Sequence, residues 1–239
     1  MKENRDVSNI LCVIPARGGS QRIPRKNLRH FAGKPIIHHA IKAALESHCF
    51  EEVMVSTDDE EIAEVSISAG AKVPFLRSDD ASSHHATTGE VWAEVVREYH
   101  MRGSEFRSVF SILPTAVFVT PRIIREALQV FENQPDWDGL MSVVPYSPPI
   151  QRALKINEGT LRPLWPEHSS TRSQDLQLSY YDAGQFYVFR PEFMLRFKSM
   201  RQGNVGAFPL SALSVQDIDE EEDWMIAEQK YALLFPHSG

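Results

Sequence analysis

Cys12–Leu28, CVIPARGGSQRIPRKNL, couples an apolar run to a glycine turn crowded with cations. The run from Ile10 to Ile14 has the length and β-branched content of a buried strand, and Pro15 stops it. Gly18 and Gly19 let the backbone turn tightly and approach another molecule closely, because no Cβ intervenes. Arg17, Arg22, Arg25 and Lys26 follow within a short span. A strand that ends in such a turn is suited to cradling a polyphosphate. The alternative is a surface loop whose cations sit in water, as most charges do. The stretch is neither a Walker A loop, which needs Gly-Lys-Ser/Thr, nor the Gly-x-Gly-x-x-Gly dinucleotide fingerprint.

Working outward, the chain alternates between strand and helix patterns. Apolar residues at helical spacing predict a helix over Pro35–His48, with proline near its first turn. Val53–Ser56 reads as a strand. Thr57-Asp58-Asp59-Glu60-Glu61 caps the next helix with a threonine and early acids, and Gly70 ends it. Val73–Leu76 reads as a third strand and Arg77–Thr87 as irregular. Helices are expected over Thr88–His100 and Thr120–Phe131, and strands over Val109–Leu113 and Leu140–Val144. This order implies a mainly parallel sheet with helices on both faces. After Pro145 the pattern changes. Ala153–Ile156 and Thr160–Leu164 suggest a short hairpin, Gln185–Phe189 a strand, and Glu220–Leu234 a helix with Trp224, Ala227, Tyr231 and Leu234 on one stripe. One domain over residues 1–239 is expected, with 146–182 as an inserted flap on the substrate or dimerisation side.

The 239 residues are enough for a sizeable core, and the net charge is −7. That charge argues against wrapping nucleic acid, which needs an extended basic face, and suits a small anion in a local positive pocket. Cys12 and Cys49 form no disulfide framework and no metal spacing, so both read as buried thiols. His38-His39 and His84-His85 are adjacent pairs whose side chains diverge, which argues against a histidine metal site. The polar first residues precede no signal-type stretch and no segment has the length of a membrane span, so a cytoplasmic protein without a membrane partner is expected.

Three further constellations could carry chemistry. In Val215-Gln216-Asp217-Ile218-Asp219, a strand end would turn Asp217 and Asp219 to one side and Ile218 into the core. Two convergent carboxylates suit a hard divalent cation such as Mg²⁺, although Asp219 could equally cap the helix that follows. Arg77 directly follows an expected strand, where open α/β sheets place ligand contacts; alone, it reads as a surface cation and Thr88 as a helix cap. The run from Gln151 and Arg152 through Arg172 and Gln174 to Asp182, Gln185 and Tyr187 is dense in amides, guanidinium groups and rings. That inventory suits a sugar acid, and it equally suits a subunit interface. Ser20 belongs to no Ser/His/Asp pattern.

The motifs together resemble the nonulosonic acid cytidylyltransferases, which load nine-carbon sugar acids onto CMP. Ala16-Arg17-Gly18-Gly19-Ser20, Pro24 and Lys26-Asn27-Leu28 match that family without gaps. Gln151-Arg152-Ala153 behind Pro148, Thr171-Arg172-Ser173-Gln174-Asp175 and Asp182-Ala183-Gly184-Gln185-Phe186-Tyr187 are similar to its pseudaminic acid branch. Gln21 replaces a lysine, Tyr181 a histidine, and Leu113 a glutamine that sialic acid enzymes use towards their sugar.

The resemblance implies a Rossmann-like, three-layer α/β/α nucleotidyltransferase fold of the glycosyltransferase-A type, usually homodimeric. It implies transfer of CMP from CTP to pseudaminic acid, with legionaminic or N-acetylneuraminic acid as alternatives. Arg17, Lys26, Asp217 and Asp219 would be catalytic, and Asp217 and Asp219 would hold Mg²⁺. Pro15, Ala16, Arg17, Gly18, Gly19, Ser20, Lys26, Asn27, Arg77, Ala86 and Thr88 would bind the nucleotide. Gln151, Arg152, Arg172, Gln174, Asp182, Gln185 and Tyr187 would bind the sugar. A non-catalytic nucleotide-sugar sensor is the alternative from another class, and the intact charged residues speak against it.

Overall fold

The computed structural model describes residues 9–83 and 85–236, so His84 of the second histidine pair lies outside the described residues. The opening apolar run forms β1 (Ile10–Pro15). A small ribbon of β2 (His30–Phe31) and β3 (Lys34–Pro35) leads to α1 (Ile36–Ser47). Next come β4 (Glu52–Ser56), α2 (Glu60–Ser68), the single turn α3 (Asp79–Ser82) and α4 (Thr88–Met101). They are followed by β5 (Ser108–Ile112), α5 (Pro121–Glu132) and β6 (Gly139–Pro145). β7 (Leu154–Asn157) and β8 (Thr160–Pro163) pair only with each other. The chain ends with β9 (Tyr180–Phe189), α6 (Pro191–Phe197), β10 (Val205–Pro209) and α7 (Glu221–Leu234).

The main sheet has the order β10-β6-β9-β5-β1-β4, all parallel except β9, which runs antiparallel between β6 and β5. β1 shows why the fold has three layers. Ile10, Cys12 and Ile14 pack with Ile41 of α1, Ile62 of α2 and Leu128 of α5, while Leu11 and Val13 pack with Trp92 of α4 and Met194 of α6. Successive strand side chains point to opposite faces, so a strand apolar at every position must be covered on both. The α/β/α architecture expected from the sequence is the one observed.

A separate apolar cluster joins the two ends of the chain. Ile23 of the glycine-turn stretch, Phe31, Ile36, Ile218, Trp224 and Ala227 are all buried together. Burying each isoleucine contributes about 1.5–3 kcal/mol. Ile218 thereby fixes the segment between Asp217 and Asp219 against the loop that carries Lys26.

Several local expectations are corrected. Val73–Leu76 is no strand: only Lys72 bridges to Met54, and Pro74 has no N–H to extend a ladder. Asp59 rather than Thr57 caps α2, its carboxylate accepting from Ile62 N at 2.9 Å. Asp217 and Asp219 lie in irregular chain rather than at a strand end, and Glu220 rather than Asp219 caps α7. Cys49 is half-buried, whereas Cys12 is fully buried and burial pushes its thiol up. β9 begins at Tyr180, so the last three residues expected in the flap belong to the main sheet. No described helix is long and apolar enough to cross a membrane.

Candidate active site

The glycine turn is built from its outer side. Asn27 is buried, and its Nδ2 donates to Arg17 O at 2.9 Å, closing the loop across its base. Gly18 N donates to Asp58 Oδ1 at 2.8 Å and Ser20 N to Gly18 O at 3.0 Å. Of the three turn amides expected to meet phosphate, Gly19 N–H is therefore the one without an internal partner. A Cβ on Gly18 would lie 2.6 Å from Asp59 Oδ2, so a side chain there has no room. Asp59 is held in turn by Arg25, at 2.5 Å, and Arg25 also pairs with Glu61.

The turn opens onto a cavity of about 550 Å³. Pro15, Arg17, Ser20, Lys26, Asn27, Arg77, Ala86 and Thr88 line it, and Asp217 and Asp219 line its other side. Ala16 is buried behind the wall, its N–H donating to Ser56 O at 2.9 Å. Arg77 donates from Nε to Ser56 Oγ at 2.8 Å and from a terminal nitrogen to Ser56 O at 2.7 Å. Burial lowers its pKa to about 10 against the pull of Asp58 and Glu94, so it stays cationic at neutral pH.

Front and back walls touch through charge. Lys26 Nζ donates to Ile218 O at 2.5 Å and lies 3.4 Å from Asp219 Oδ1, while Arg22 pairs with Asp219 Oδ2 at 2.7 Å. Burial, then the neighbouring Asp219, raises the pKa of the Asp217 carboxyl from its ordinary value. Asp217 and Asp219 form an oxygen donor pair, and no group of three or more histidines, cysteines or acids that could hold a metal occurs among the described residues. Two carboxylates are the donor type of a hard cation that takes its other ligands from water and substrate phosphate, as Mg²⁺ does.

Beside Asp217 runs β9. A Cβ on Gly184, which adopts φ +59°, would lie 3.7 Å from Asp217 Cγ. Tyr187 OH donates to Asp182 Oδ1 at 2.9 Å, and burial followed by Asp182 raises its pKa. Gln185 is buried, its amide donating to Ala183 O and Gly184 O, both at 3.1 Å. The flap residues stand apart from the cavity lining. Gln151 donates to Gln177 O at 2.9 Å, Arg152 to Ser169 O at 3.1 Å and to Thr171 O, and Arg172 to Asp175 at 2.8 Å. Gln174 sits in the short 3-10 turn Ser173–Asp175.

Ala81, Ser83 and Val91 also line the cavity; in the sequence Ala81 and Ser83 are small residues of the stretch read as irregular, and Val91 is an apolar position of the helix over Thr88–His100, so none is marked as a site residue. Thr88 is clarified. The cap of α4 is Thr87, which forms a capping box with Glu90, so Thr88 is free of that duty and faces the cavity. Thr87→Ala is expected to cost about 1 kcal/mol of stability with little change in nucleotide affinity. Thr88→Val is expected to leave stability alone, because the cap bonds belong to Thr87, and any effect on kinetics would come from the cavity it lines. Thermal melting and steady-state kinetics on the two variants check this.

The scaffold is a mainly parallel α/β/α sheet in which a cationic glycine turn and a carboxylate pair line one cavity. The chain belongs to the cytidylyltransferase family, which it matches over residues 11–233. It is 37% identical to the pseudaminic acid cytidylyltransferase of Campylobacter jejuni over 223 residues, covering 92% of this chain and 95% of that one. It is 33% identical to the CMP-N,N'-diacetyllegionaminic acid synthase of Legionella pneumophila over 235 residues, again covering 92% and 95%. Among solved structures, a CMP:2-keto-3-deoxy-manno-octonic acid synthetase complexed with CTP superposes with a TM-score of 0.71 at 19% identity, covering 95% of this chain and 99% of that one. This last likeness concerns the fold.

Proposed function

We propose that this cytidylyltransferase transfers CMP from CTP to the anomeric hydroxyl of pseudaminic acid and releases pyrophosphate. The observation that carries the reading is the meeting of Arg17, Lys26, Asp217 and Asp219 around one cavity, in a chain 37% identical to a pseudaminic acid enzyme. The anomeric hydroxyl gives up its proton to water and its oxygen forms a bond to the α-phosphorus as the bond to the pyrophosphate oxygen breaks. Such a transfer asks chiefly for positioning and charge stabilisation. Arg17, Lys26 and the Gly19 amide hold the triphosphate and stabilise charge on the departing pyrophosphate. Pro15, Ala86 and Thr88 bound the base, and Arg77 faces the nucleotide from Ser56. Asp217 and Asp219 would hold Mg²⁺, which would supply neutralisation of phosphate charge and a more acidic attacking hydroxyl. Asp182, kept in place by Tyr187, and buried Gln185 shape the sugar side next to Asp217.

Pyrophosphate release from CTP and Mg²⁺, measured with purified pseudaminic, legionaminic and N-acetylneuraminic acids, tests the reading. Turnover with pseudaminic acid ahead of the others is expected. Preference for the legionaminic acid would favour the second reading, which the Legionella relative supports. Activity with ATP but not CTP would overturn both.

The β7–β8 ribbon supports a homodimer. Ile156 faces Leu161 and Leu154 faces Pro163 across the ribbon, so one face is wholly apolar. Ile156 is 73% exposed, Leu161 58% and Leu154 57%, an unusual placement for a two-stranded ribbon that is marginal alone. A second copy covers this face, and Arg152 and Arg172 of the flap then serve the sugar side of one pocket or the other. Light scattering should show a dimer for the native chain and a monomer for the Ile156→Asp, Leu161→Asp double variant. Unchanged mass would reject the ribbon as the interface.

A further inference from the structure

The segment carrying Asp217 and Asp219 has no regular secondary structure, yet four successive carbonyls in it are each tied by a side chain. Val215 O accepts from Lys230 Nζ at 2.7 Å, Gln216 O from Gln185 at 3.4 Å, Asp217 O from Gln216 at 3.2 Å, and Ile218 O from Lys26 at 2.5 Å. The amides that follow are tied as well: Asp219 N and Glu220 N donate to Asp223 Oδ2 at 3.0 and 2.9 Å. Irregular backbone near a core must find such partners, since no ladder supplies them.

Two residues of α7, Lys230 and Asp223, take part in these ties. Lys230 Nζ also donates to Ala212 O at 3.0 Å and to Gln216 Oε1 at 3.1 Å, so all three ammonium protons are used. Gln216 Nε2 in turn donates to Asp223 Oδ1 at 3.1 Å. Lys230, Gln216 and Asp223 thus form one chain of hydrogen bonds along the carboxylate segment, and none of the three is among the residues that line the cavity. Cavity-lining Lys26 holds the same segment from the front.

We infer that Lys230, acting through Gln216 and Asp223, positions the Asp217–Asp219 pair for its cation. This inference rests on the reading of that pair as the cation seat. Lys230 touches neither nucleotide nor sugar in this account and is a positioning residue. Groups that orient metal ligands from behind commonly change metal affinity by about tenfold to a hundredfold when removed.

The test compares native protein, Lys230→Met and, as a control, Lys42→Met on the exposed face of α1. Mn²⁺ binding in the presence of CTP is followed by the loss of the free-ion paramagnetic signal, alongside urea midpoints and steady-state kinetics. For Lys230→Met, Mn²⁺ affinity should fall about tenfold or more and kcat should fall with it. The KM for CTP at saturating metal should stay within about threefold, a split that simple loss of stability would not produce. Lys42→Met should match the native protein. Equal Mn²⁺ affinity in native and Lys230→Met proteins would overturn the inference alone. Absence of CTP-dependent Mn²⁺ binding in the native protein would overturn the cation seat itself. If Lys230→Met does not fold, Gln216→Ala, which removes the bridge and keeps two of the Lys230 bonds, is read against the same outcomes.

Discussion

Asp217→Asn should reduce CMP-sugar formation about a thousandfold or more while making the ligand-free protein slightly more stable. The two effects have one cause. The carboxyl lies in the cavity, where burial and then Asp219 raise its pKa, so the ionised form is unfavourable without a cation. A carboxyl whose folded pKa exceeds its unfolded value costs stability above that window, and the cost disappears as pH falls through it. The amide variant should therefore melt above the native protein at neutral pH and match it at a pH where both carboxyls are protonated. Thermal melts without ligand, paired with the pyrophosphate assay, measure both halves. Near-native turnover would remove Asp217 from the mechanism, and a lower melting temperature at neutral pH would contradict the electrostatic account of the site.

The largest effect on the fold is expected from Gly89→Ala. Gly89 is in the first turn of α4, next to Thr88, and a Cβ there would lie 1.9 Å from Lys198 O at the end of α6. Helix propensity alone would favour alanine by about 1 kcal/mol. The clash with backbone dominates, because Lys198 already sits in the left-handed region at φ 48° and closes α6 with its N–H on Met194 O. Overpacking of this kind costs about 3 kcal/mol, or roughly 6–12 °C of melting temperature for a chain of this size. The KM for CTP should rise as Thr88 is displaced. A melting temperature within about 2 °C of native would show that α4 and α6 can separate freely.

The repeating half of the chain was legible because its signals are local. The apolar run of β1, Thr120 before Pro121 and the spacing of α1 each announce an element without reference to the rest. The second half depends on distant partners. β10 contains Gly206, where a Cβ would fall 2.1 Å from the Trp137 ring, so the residue that weakens its strand pattern is required by packing. The antiparallel placement of β9 between β5 and β6 has no local signal either. At the site, the residue types were readable and their neighbours were not. Asp58 looked like part of a helix start, yet it takes the Gly18 amide from 40 positions away. Nothing in the sequence singles out Lys230, yet its ammonium ties Val215 O and the Gln216 side chain beside Asp217.

The central claim is that the front loop and the tail carboxylates enclose one triphosphate. Calorimetric titration of CTP, with and without Mg²⁺, into native and Asp217→Asn proteins tests it most directly. Mg²⁺ should tighten CTP binding to the native protein by about tenfold or more, and that gain should vanish in the variant while metal-free binding is retained. An equal Mg²⁺ gain in both proteins would mean that the carboxylates and the triphosphate occupy different places.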